Sequence, residues 1–254
     1  MLGRIIQRCP GINNVDSATI QRLNAINRDF YRTSADAFDQ TRGRPWPGWI
    51  TLMQHIDSPG RVLDLGCGNG RFGVFLADSL ESPLVYHGID NNAHLLQRAA
   101  ADLNTRDSLT VQLEALDIIE NPLPTPESPY DLIALFGVMH HVPGDNTRKR
   151  LLRQLAGMLA PGGVLVYACW RFYEFERFRE RIVPWPDDLK GRVETHDYLL
   201  DWRRGETAYR YCHYVDDDEN ADLIAATRLN PLATYRADGF NGQANLYTLL
   251  KSPT

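Results

Sequence analysis

Short apolar runs alternate along most of the chain with segments whose apolar residues recur at helical spacing. These segments predict helices near residues 70–80, 92–104 and 146–160. Strands that are separated by helices are typical of a parallel sheet with helices on both faces. The pattern therefore predicts a doubly wound α/β fold, with strands near residues 61–66, 84–90, 110–114, 130–136 and 163–169.

The segment ahead of the first strand predicts a helical addition to this core. Ile20 and Phe30 belong to a set of apolar residues at helical spacing, and they follow a cap at Asp16 or Ser17. A helix near residues 16–31 is expected to precede the sheet.

The chain after Trp170 departs from the alternating pattern. It is mixed in charge and rich in aromatic residues, with a break at Pro184 and Pro186. We interpret this region as an insertion over the carboxyl edge of the sheet. The last predicted elements are a helix near residues 218–229 and strands near 232–238 and 244–250.

A length of 254 residues suits one well-buried α/β domain with additions. We expect a single domain with four consecutive parts. The parts are an N-terminal helical cap (1–58), a cofactor-binding core (59–170), a substrate-side insertion (171–215) and a closing helix with the last two strands (216–254).

A glycine-rich turn follows the first predicted strand in the sequence RVLDLGCGNGRFG, residues 61–73. A strand that feeds a helix through such a turn places bare backbone amides and the positive end of the helix dipole at the mouth of the sheet. Read from Gly68, the stretch fits the dinucleotide pattern GxGxxG, but the turn at Gly66 would then separate the strand from the pattern. Read from Gly66, it is GxGxG with Asp64 upstream, and Arg71 stands where the dinucleotide fold needs a small residue. The turn predicts a cofactor site of another kind.

Acidic residues follow the next two predicted strands. LVYHGID ends in Asp90, 24 positions after Gly66, where a carboxylate can accept from both hydroxyls of a ribose. Asp117 comes just after the third strand, five residues before Pro122. The fourth strand, YDLIALF, then runs into the loop GVMHHVP. The order of these motifs along the chain supports one shared site.

The glycine turn and the acids that follow it resemble the motifs of the class I S-adenosylmethionine (SAM) methyltransferases, type 11 group. The resemblance implies a Rossmann-like sheet of seven strands with SAM as its cofactor. It also implies that the glycine backbone lies against the methionine part of SAM, that Asp64 orients its amino group, and that Asp117 accepts from the adenine amino group. The predicted cofactor-binding residues are Asp64, Gly66, Gly68, Gly70, Asp90, Asn91, Asp117, Ile118 and Phe136.

Composition excludes several other classes of protein. The four cysteines lie far apart without a CxxC pair or a cysteine–histidine spacing typical of metal sites, so we predict neither a disulfide framework nor a metal site. No apolar stretch approaches the roughly 20 residues that a bilayer requires, and the N-terminus lacks the apolar region of a signal peptide. We expect a soluble, cytoplasmic protein without membrane contacts.

Further short motifs make the resemblance more specific, because they point to one branch of the methyltransferases. They are QTRGRPWP before the first strand, HH after the fourth, CW at the end of the fifth, then VPW, and RYCHYV ahead of an acidic helix. Together they are similar to the eukaryotic tRNA wobble-uridine methyltransferases that esterify a 5-carboxymethyl group. That resemblance implies methylation of a carboxylate, tRNA as the partner, and support from a small zinc-binding activator protein.

Three residues are predicted to act on the acceptor. Arg42 stands just ahead of Pro45 and Pro47 and could hold a carboxylate through its guanidinium fork, although it could instead belong to a solvated basic loop. His140 is expected to face the substrate, with capping of the loop as the alternative for the His140–His141 pair. Trp170 could stack on a planar ring or simply fill the core at the end of a strand.

The net charge of the chain does not decide whether the methyl acceptor is RNA or a small-molecule acid. With 27 basic and 32 acidic residues the net charge is −5, whereas a large phosphate footprint usually needs a basic face. A tRNA enzyme should present an arginine path from Arg42 across Arg148 and Arg150, or toward Arg203 and Arg204. An enzyme acting on a small-molecule acid should instead close a lid over a pocket. A SAM-binding module without turnover is the remaining alternative.

Overall fold

Seven strands form one twisted sheet through the centre of the protein. The structure is a computed structural model that describes residues 15–40, 44–202 and 208–254, without the side chains of 34–40. The strands are β1 (Arg61–Leu65), β2 (Leu84–Asp90), β3 (Leu109–Ala115), β4 (Tyr130–Phe136), β5 (Leu159–Trp170), β9 (Asn230–Ala237) and β10 (Asn245–Lys251). Their order across the sheet is β3-β2-β1-β4-β5-β10-β9. Strands β1 to β5 are parallel, and β10 runs antiparallel between β5 and β9.

Helices connect the parallel strands and extend the N-terminus. The helices are α1 (Ser17–Gln40), α2 (Pro47–Leu52), α3 (Arg71–Ser79), α4 (Ala93–Leu103), α5 (Asp145–Ala156), α6 (Glu176–Arg179) and α7 (Asp217–Thr227). The predicted doubly wound α/β fold with seven strands is confirmed. Two helices differ from expectation, since α1 continues to residue 40 rather than about 31 and the six-residue α2 lacked any periodic signal.

The junction between α5 and β5 also differs from the prediction. Helix α5 was expected to reach residue 160, but it ends at Ala156 because Gly157 caps it. Strand β5 then begins at Leu159, which pairs with Tyr130, and the pairing resumes at Leu132 opposite Val164. The strand is irregular between these two pairs. Its proline and glycines therefore lie inside β5 rather than at the end of helix α5.

Both faces of the sheet are buried, which explains why its central strands read as continuous apolar runs. Leu63, Ile133 and Leu165 point to one face, where they pack in a cluster with leucines of α5 and α7. Val62 and Leu132 point to the opposite face, in a cluster with side chains of α2 and α3. These two layers fix the sheet, so the loops at its carboxyl edge are held on a rigid base.

A second, three-stranded sheet covers this carboxyl edge. It contains β6 (Ile182–Val183), β7 (Asp197–Trp202) and β8 (Ala208–His213), all antiparallel, within the region predicted as an insertion. Helix α1 packs on it through Leu23, which contacts a buried group that includes Tyr211. No helix in the three described ranges is both long and apolar enough to cross a membrane.

Candidate active site

A cavity of about 600 Å³ opens at the carboxyl ends of β1, β2, β4 and β5. The sheet forms its floor, α1 and the segment before α2 form two walls, and the second sheet covers one end. Among the predicted cofactor residues, the cavity is lined by Asp64, Gly66, Gly68, Asp90, Asn91, Asp117, Ile118 and Phe136. His140 and Trp170 also line it. Residues predicted from separate motifs thus meet in one place.

The glycine turn after β1 has the geometry that the sequence predicted. Gly66, Gly68 and Gly70 have φ angles of 76°, 55° and 76°, in the left-handed region that favours glycine. A Cβ atom at Gly66 would lie 2.3 Å from Cγ2 of Val138, so a side chain cannot be accommodated there without displacing the neighbouring loop. Gly70 differs from the prediction in its position, because it caps α3 and does not line the cavity.

Asp90 closes this turn from the adjacent strand. One of its carboxylate oxygens accepts from the amide of Gly68 at 2.8 Å, and the other accepts from the amide of Asn92 at 2.8 Å. Burial raises the pKa of Asp90, although these amide contacts oppose the shift. A carboxylate has about four acceptor positions, so each oxygen keeps the capacity to accept from a ligand hydroxyl.

Asp64 lies beneath the same turn and is almost completely buried, with a relative exposure of 2%. Its carboxylate accepts from the Tyr86 hydroxyl at 2.6 Å. Burial raises the pKa of Asp64 to about 7, and the nearby charge of Asp90 adds to the increase. The group therefore changes charge near neutral pH, where a cationic ligand would favour its ionised form.

Asp117 is held between its own loop and helix α1. Its carboxylate accepts from the side-chain amide of Asn24 at 2.8 Å and from the guanidinium of Arg28 at 3.4 Å. The other oxygen accepts from the backbone amide of Ile119 at 2.9 Å. Helix α1 therefore covers this end of the cavity and shares the carboxylate that was predicted to meet adenine.

The two histidines after β4 have different surroundings. His141 lies within hydrogen-bond distance of three groups, the Tyr211 carbonyl at 2.9 Å from Nδ1, the Tyr31 hydroxyl at 2.8 Å from Nε2 and the Asn27 amide at 3.2 Å from Nδ1. An Nδ1–H that donates to the carbonyl, with Nε2 accepting from Tyr31, satisfies the two shorter contacts. His141 therefore links the loop to both α1 and β8. His140 is buried and packs against Trp170, with ring centroids 5.6 Å apart.

Trp170 is surrounded on several sides. The Arg210 guanidinium lies 4.6 Å from the centre of its ring, and the Phe178 ring meets it edge-on at 4.7 Å. One face of the indole is therefore already in contact with a planar cation.

Three arginines at this end of the cavity were not predicted from the sequence. Arg177, Arg181 and Arg210 line it together with Phe178 and Trp202. Arg177 lies on α6, Arg181 follows that helix directly, and Arg210 lies on β8, so the fold of the region after Trp170 brings them to one end of the cavity. Asn24, Asn27 and Tyr31 were missed as well, although their polar positions at helical spacing on α1 carried a readable signal.

The other arginines that were considered for acceptor binding either lie outside the described residues or do not line the cavity. Arg42, Arg203 and Arg204 lie outside the described residues. Arg148, expected on an RNA-facing arginine path, is buried with a relative exposure of 1%. Its guanidinium pairs with Glu194 at 2.8 Å and Glu219 at 2.7 Å, because the side chain points into the interface between α5, α7 and the second sheet. The arginine path that a tRNA enzyme should present therefore does not run across Arg148.

Comparison with known proteins identifies the family. The family described as a methyltransferase domain matches residues 63–165, which contain the glycine turn, Asp90 at the end of β2 and Asp117 after β3. A trans-aconitate 2-methyltransferase from Azoarcus sp. is 32% identical over 222 residues, covering 72% of this chain and 83% of the relative. The chain belongs to the SAM-dependent methyltransferases, as the glycine motif predicted.

More distant relatives carry names from tRNA modification. A probable tRNA methyltransferase 9B from Bos taurus is 26% identical over 174 residues, which cover 67% of this chain. The matched region is about a third (35%) of that relative's own length. A tRNA (carboxymethyluridine(34)-5-O)-methyltransferase from Schizosaccharomyces pombe is 23% identical, covering 74% of this chain and 86% of the relative.

Solved structures share the fold. A SAM-dependent methyltransferase from Methanosarcina mazei aligns with a TM-score of 0.64 over 82% of this chain and 98% of its own, at 17% identity. The N-methyltransferase NodS from Bradyrhizobium japonicum, in complex with S-adenosyl-L-homocysteine (SAH), aligns with a TM-score of 0.53 over 93% of this chain, at 18% identity.

Proposed function

We propose that this methyltransferase transfers the methyl group of SAM to a carboxylate oxygen of its acceptor. The observation that carries the proposal is the group of three arginines, Arg177, Arg181 and Arg210, at one end of the cavity. Guanidinium groups bind carboxylates through paired, charge-assisted hydrogen bonds, and aromatic walls keep water away from them. This end is therefore suited to an acidic acceptor.

The residues at the opposite end fit SAM. Asp90 retains acceptor capacity for the ribose hydroxyls, Asp64 can pair with the amino group, and the turn at Gly66 leaves the backbone open to a close ligand. The remaining predicted contacts are Asp117 and Ile118 beside adenine, with Phe136 on the cavity floor. When bound, SAM supplies an electrophilic methyl group on a sulfonium.

The protein's part in such a reaction is to position and desolvate the acceptor. A carboxylate is already ionised near pH 7, so no strong base is required. An arginine that binds one oxygen leaves the other free to attack, and the buried His140 and half-buried Trp170 beside it exclude water from the reacting atoms. Arg42 remains our predicted additional carboxylate holder, and its loss should lower turnover without changing SAM binding.

The first candidate for the acceptor is the 5-carboxymethyl group of a tRNA wobble uridine. The motifs QTRGRPWP, HH and RYCHYV support it, as do relatives named for that modification. Stacking of the uracil ring near Trp170 and Arg210 would suit this acceptor. A small zinc-binding activator is part of the same prediction.

The second candidate is a free small-molecule acid. It is supported by the burial of Arg148, which interrupts the expected basic path, and by the cover that α1 and the second sheet form over the cavity. The Azoarcus relative named for trans-aconitate is in keeping with it.

Labelled SAM separates the two candidates. The purified protein is offered bulk tRNA that lacks the ester and, separately, a panel of small carboxylic acids. Label in tRNA that mild alkali removes would support the first candidate, and alkali-labile label confined to small acids would support the second. Label that resists alkali in every acceptor would contradict carboxylate methylation altogether.

A further inference from the structure

The arginines at the acceptor end occupy two positions rather than one. Arg210 lies on β8, with its guanidinium carbon 4.6 Å from the centre of the Trp170 ring and 5.3 Å from that of Phe30. Since Trp170 contacts His140, Arg210 adjoins the floor of the cavity. Arg177 lies farther out on α6, exposed beside Phe178 and Phe240.

Arg181 belongs to the outer position with Arg177. It follows α6 directly and is half-buried, and its carbonyl accepts from the amide of Asp201 on the neighbouring strand at 2.9 Å. The short α6 and the edge of the second sheet therefore hold Arg177 and Arg181 close in sequence on the same rim of the cavity.

The three cavity arginines differ from several other arginines of the protein in their pairing with carboxylates. Arg148, Arg171 and Arg236 are each paired with at least one carboxylate at 2.8 Å or less. In the described part of the chain, no carboxylate lies within 4.0 Å of the guanidinium nitrogens of the three cavity arginines. A single acceptor carboxylate would neutralise only one of them.

Among the described residues, two carboxylates, Asp201 and Asp238, line the same end of the cavity. The Asp238 carboxylate accepts from the Gly48 amide and from the side chains of Asn245 and Tyr247, which hold it in place without neutralising it. Three guanidinium groups and two carboxylates therefore leave an excess of one positive charge at the acceptor end, next to a cofactor that itself brings a cationic sulfonium.

Resting on the proposed carboxylate methylation, we propose that Arg177 and Arg181 form a second anion subsite for another acidic group of the same acceptor. Arg210 then serves the carboxylate that receives the methyl group. The second acidic group is a carboxylate in a small acid or a phosphate in a nucleotide. Its binding at the rim anchors the acceptor at a distance from the reacting atoms and so orients the reactive carboxylate.

The test measures binding to the SAH-loaded protein by titration calorimetry at low ionic strength, where charge pairs are least screened. The probes are glutarate against butyrate, and 5-carboxymethyluridine 3′-monophosphate against its nucleoside. We expect the member with the second acidic group to bind about tenfold more tightly in at least one pair, in line with one added charge-assisted hydrogen bond. The pair that shows this preference identifies the source of the second group.

Charge-removing variants locate the subsite. Arg177→Gln or Arg181→Gln should weaken binding of the probe with the second acidic group about tenfold, and binding of its partner with one acidic group less than twofold. Arg153→Gln removes the same charge from the exposed face of α5, outside the cavity, and should change neither affinity.

Three outcomes would overturn the subsite. They are equal affinity within both pairs, equal weakening of both members by the rim variants, and failure of all four probes to bind. The proposed function fails separately, when the protein binds these acids but SAM turnover leaves no alkali-labile methyl label on any of them.

Discussion

The carboxyl group of Asp64 connects ligand binding to pH at the scale of a single residue. Burial raises its pKa from 3.8 to about 7, so the folded protein holds a proton between about pH 4 and 7 that the unfolded chain has lost. By linkage, this residue's stabilising contribution is present at low pH and is lost as the pH rises through 7. Its effect on ligand binding has the opposite sign, because the amino group of SAM favours the ionised form.

We therefore expect SAH binding to release a proton at pH 6 and to strengthen as the pH rises from 6 to 8. Titration calorimetry in two buffers of different ionisation enthalpy measures the released proton directly. Asp64→Asn supplies the control, since it should abolish the release and flatten the pH dependence. Unchanged proton release in this variant would assign the effect to another group, such as a cavity histidine.

At the scale of the element, helix α1 carries a row of polar side chains into the site. The side-chain oxygen of Asn27 accepts from the backbone amide of Tyr211 on β8 at 2.9 Å, and the Tyr31 hydroxyl contacts His141. The carbonyl of Tyr31 also accepts from the side chain of Asn92, at the start of α4. One helix thereby joins the cofactor side of the cavity to the second sheet.

Loosening this helix should speed the escape of ligand more than it destabilises the fold. We expect Asn27→Ala with Tyr31→Phe to raise the SAH dissociation rate about tenfold, corresponding to loss of one or two net hydrogen bonds, as measured by stopped-flow fluorescence. Arg32→Ala on the same helix is the matched control, because its ion pair with Asp29 is largely exposed. Equal dissociation rates in the two variants would show that α1 does not retain the ligand.

At the scale of the whole molecule, a buried network of charges joins the second sheet to the core. Arg148 on α5 pairs with Glu194 and Glu219, and His213 on β8 contacts Asp197 and Glu219, both at 2.7 Å. Burial alone would lower the pKa of His213, but its carboxylate partners raise it overall. Glu194, Asp197 and His213 are close enough to share a metal ion, yet these contacts already engage all three, and we interpret the group as an ion network.

Breaking this network should be costly. Arg148→Met would remove the guanidinium that Glu194 and Glu219 share in the buried network, and we expect it to lower the free energy of unfolding by about 3–5 kcal/mol. Lys149→Met removes a neighbouring cation whose acid partners are more exposed, and should cost no more than about 1 kcal/mol. Urea unfolding of both variants measures the difference. Similar losses in the two variants would mean that the buried network adds no stability beyond a surface pair.

The parts of the site that could be predicted are those encoded locally. Asp64, Gly66 and Asp90 lie in strand, turn and helix segments whose pattern is read within a few residues. Arg210 and Asn27 could not be predicted in the same way, because their positions depend on contacts such as Asn27 with Tyr211, 184 residues apart in sequence. Arg148 shows the converse, since a basic side chain in an amphipathic helix gave no sign that its partners would bury it.

The four-part division of the chain remains a proposal, and the structure gives it a physical basis. The region 171–215 reaches the core through α1, through the Arg148 network and through the Trp170 end of β5. We therefore expect it to unfold together with the core rather than as a separate unit.

The cover that α1 forms over the Asp117 end has a consequence for the order of events in turnover. The helix contacts Asp117 through Asn24 and the second sheet through Asn27, so one displacement opens both the cofactor side and the acceptor side. Once the helix has closed, a ligand beneath it leaves only when these contacts break. Product release should therefore be a separate step after methyl transfer, and the maximal rate in steady-state kinetics should follow the opening of the helix rather than the methyl transfer itself.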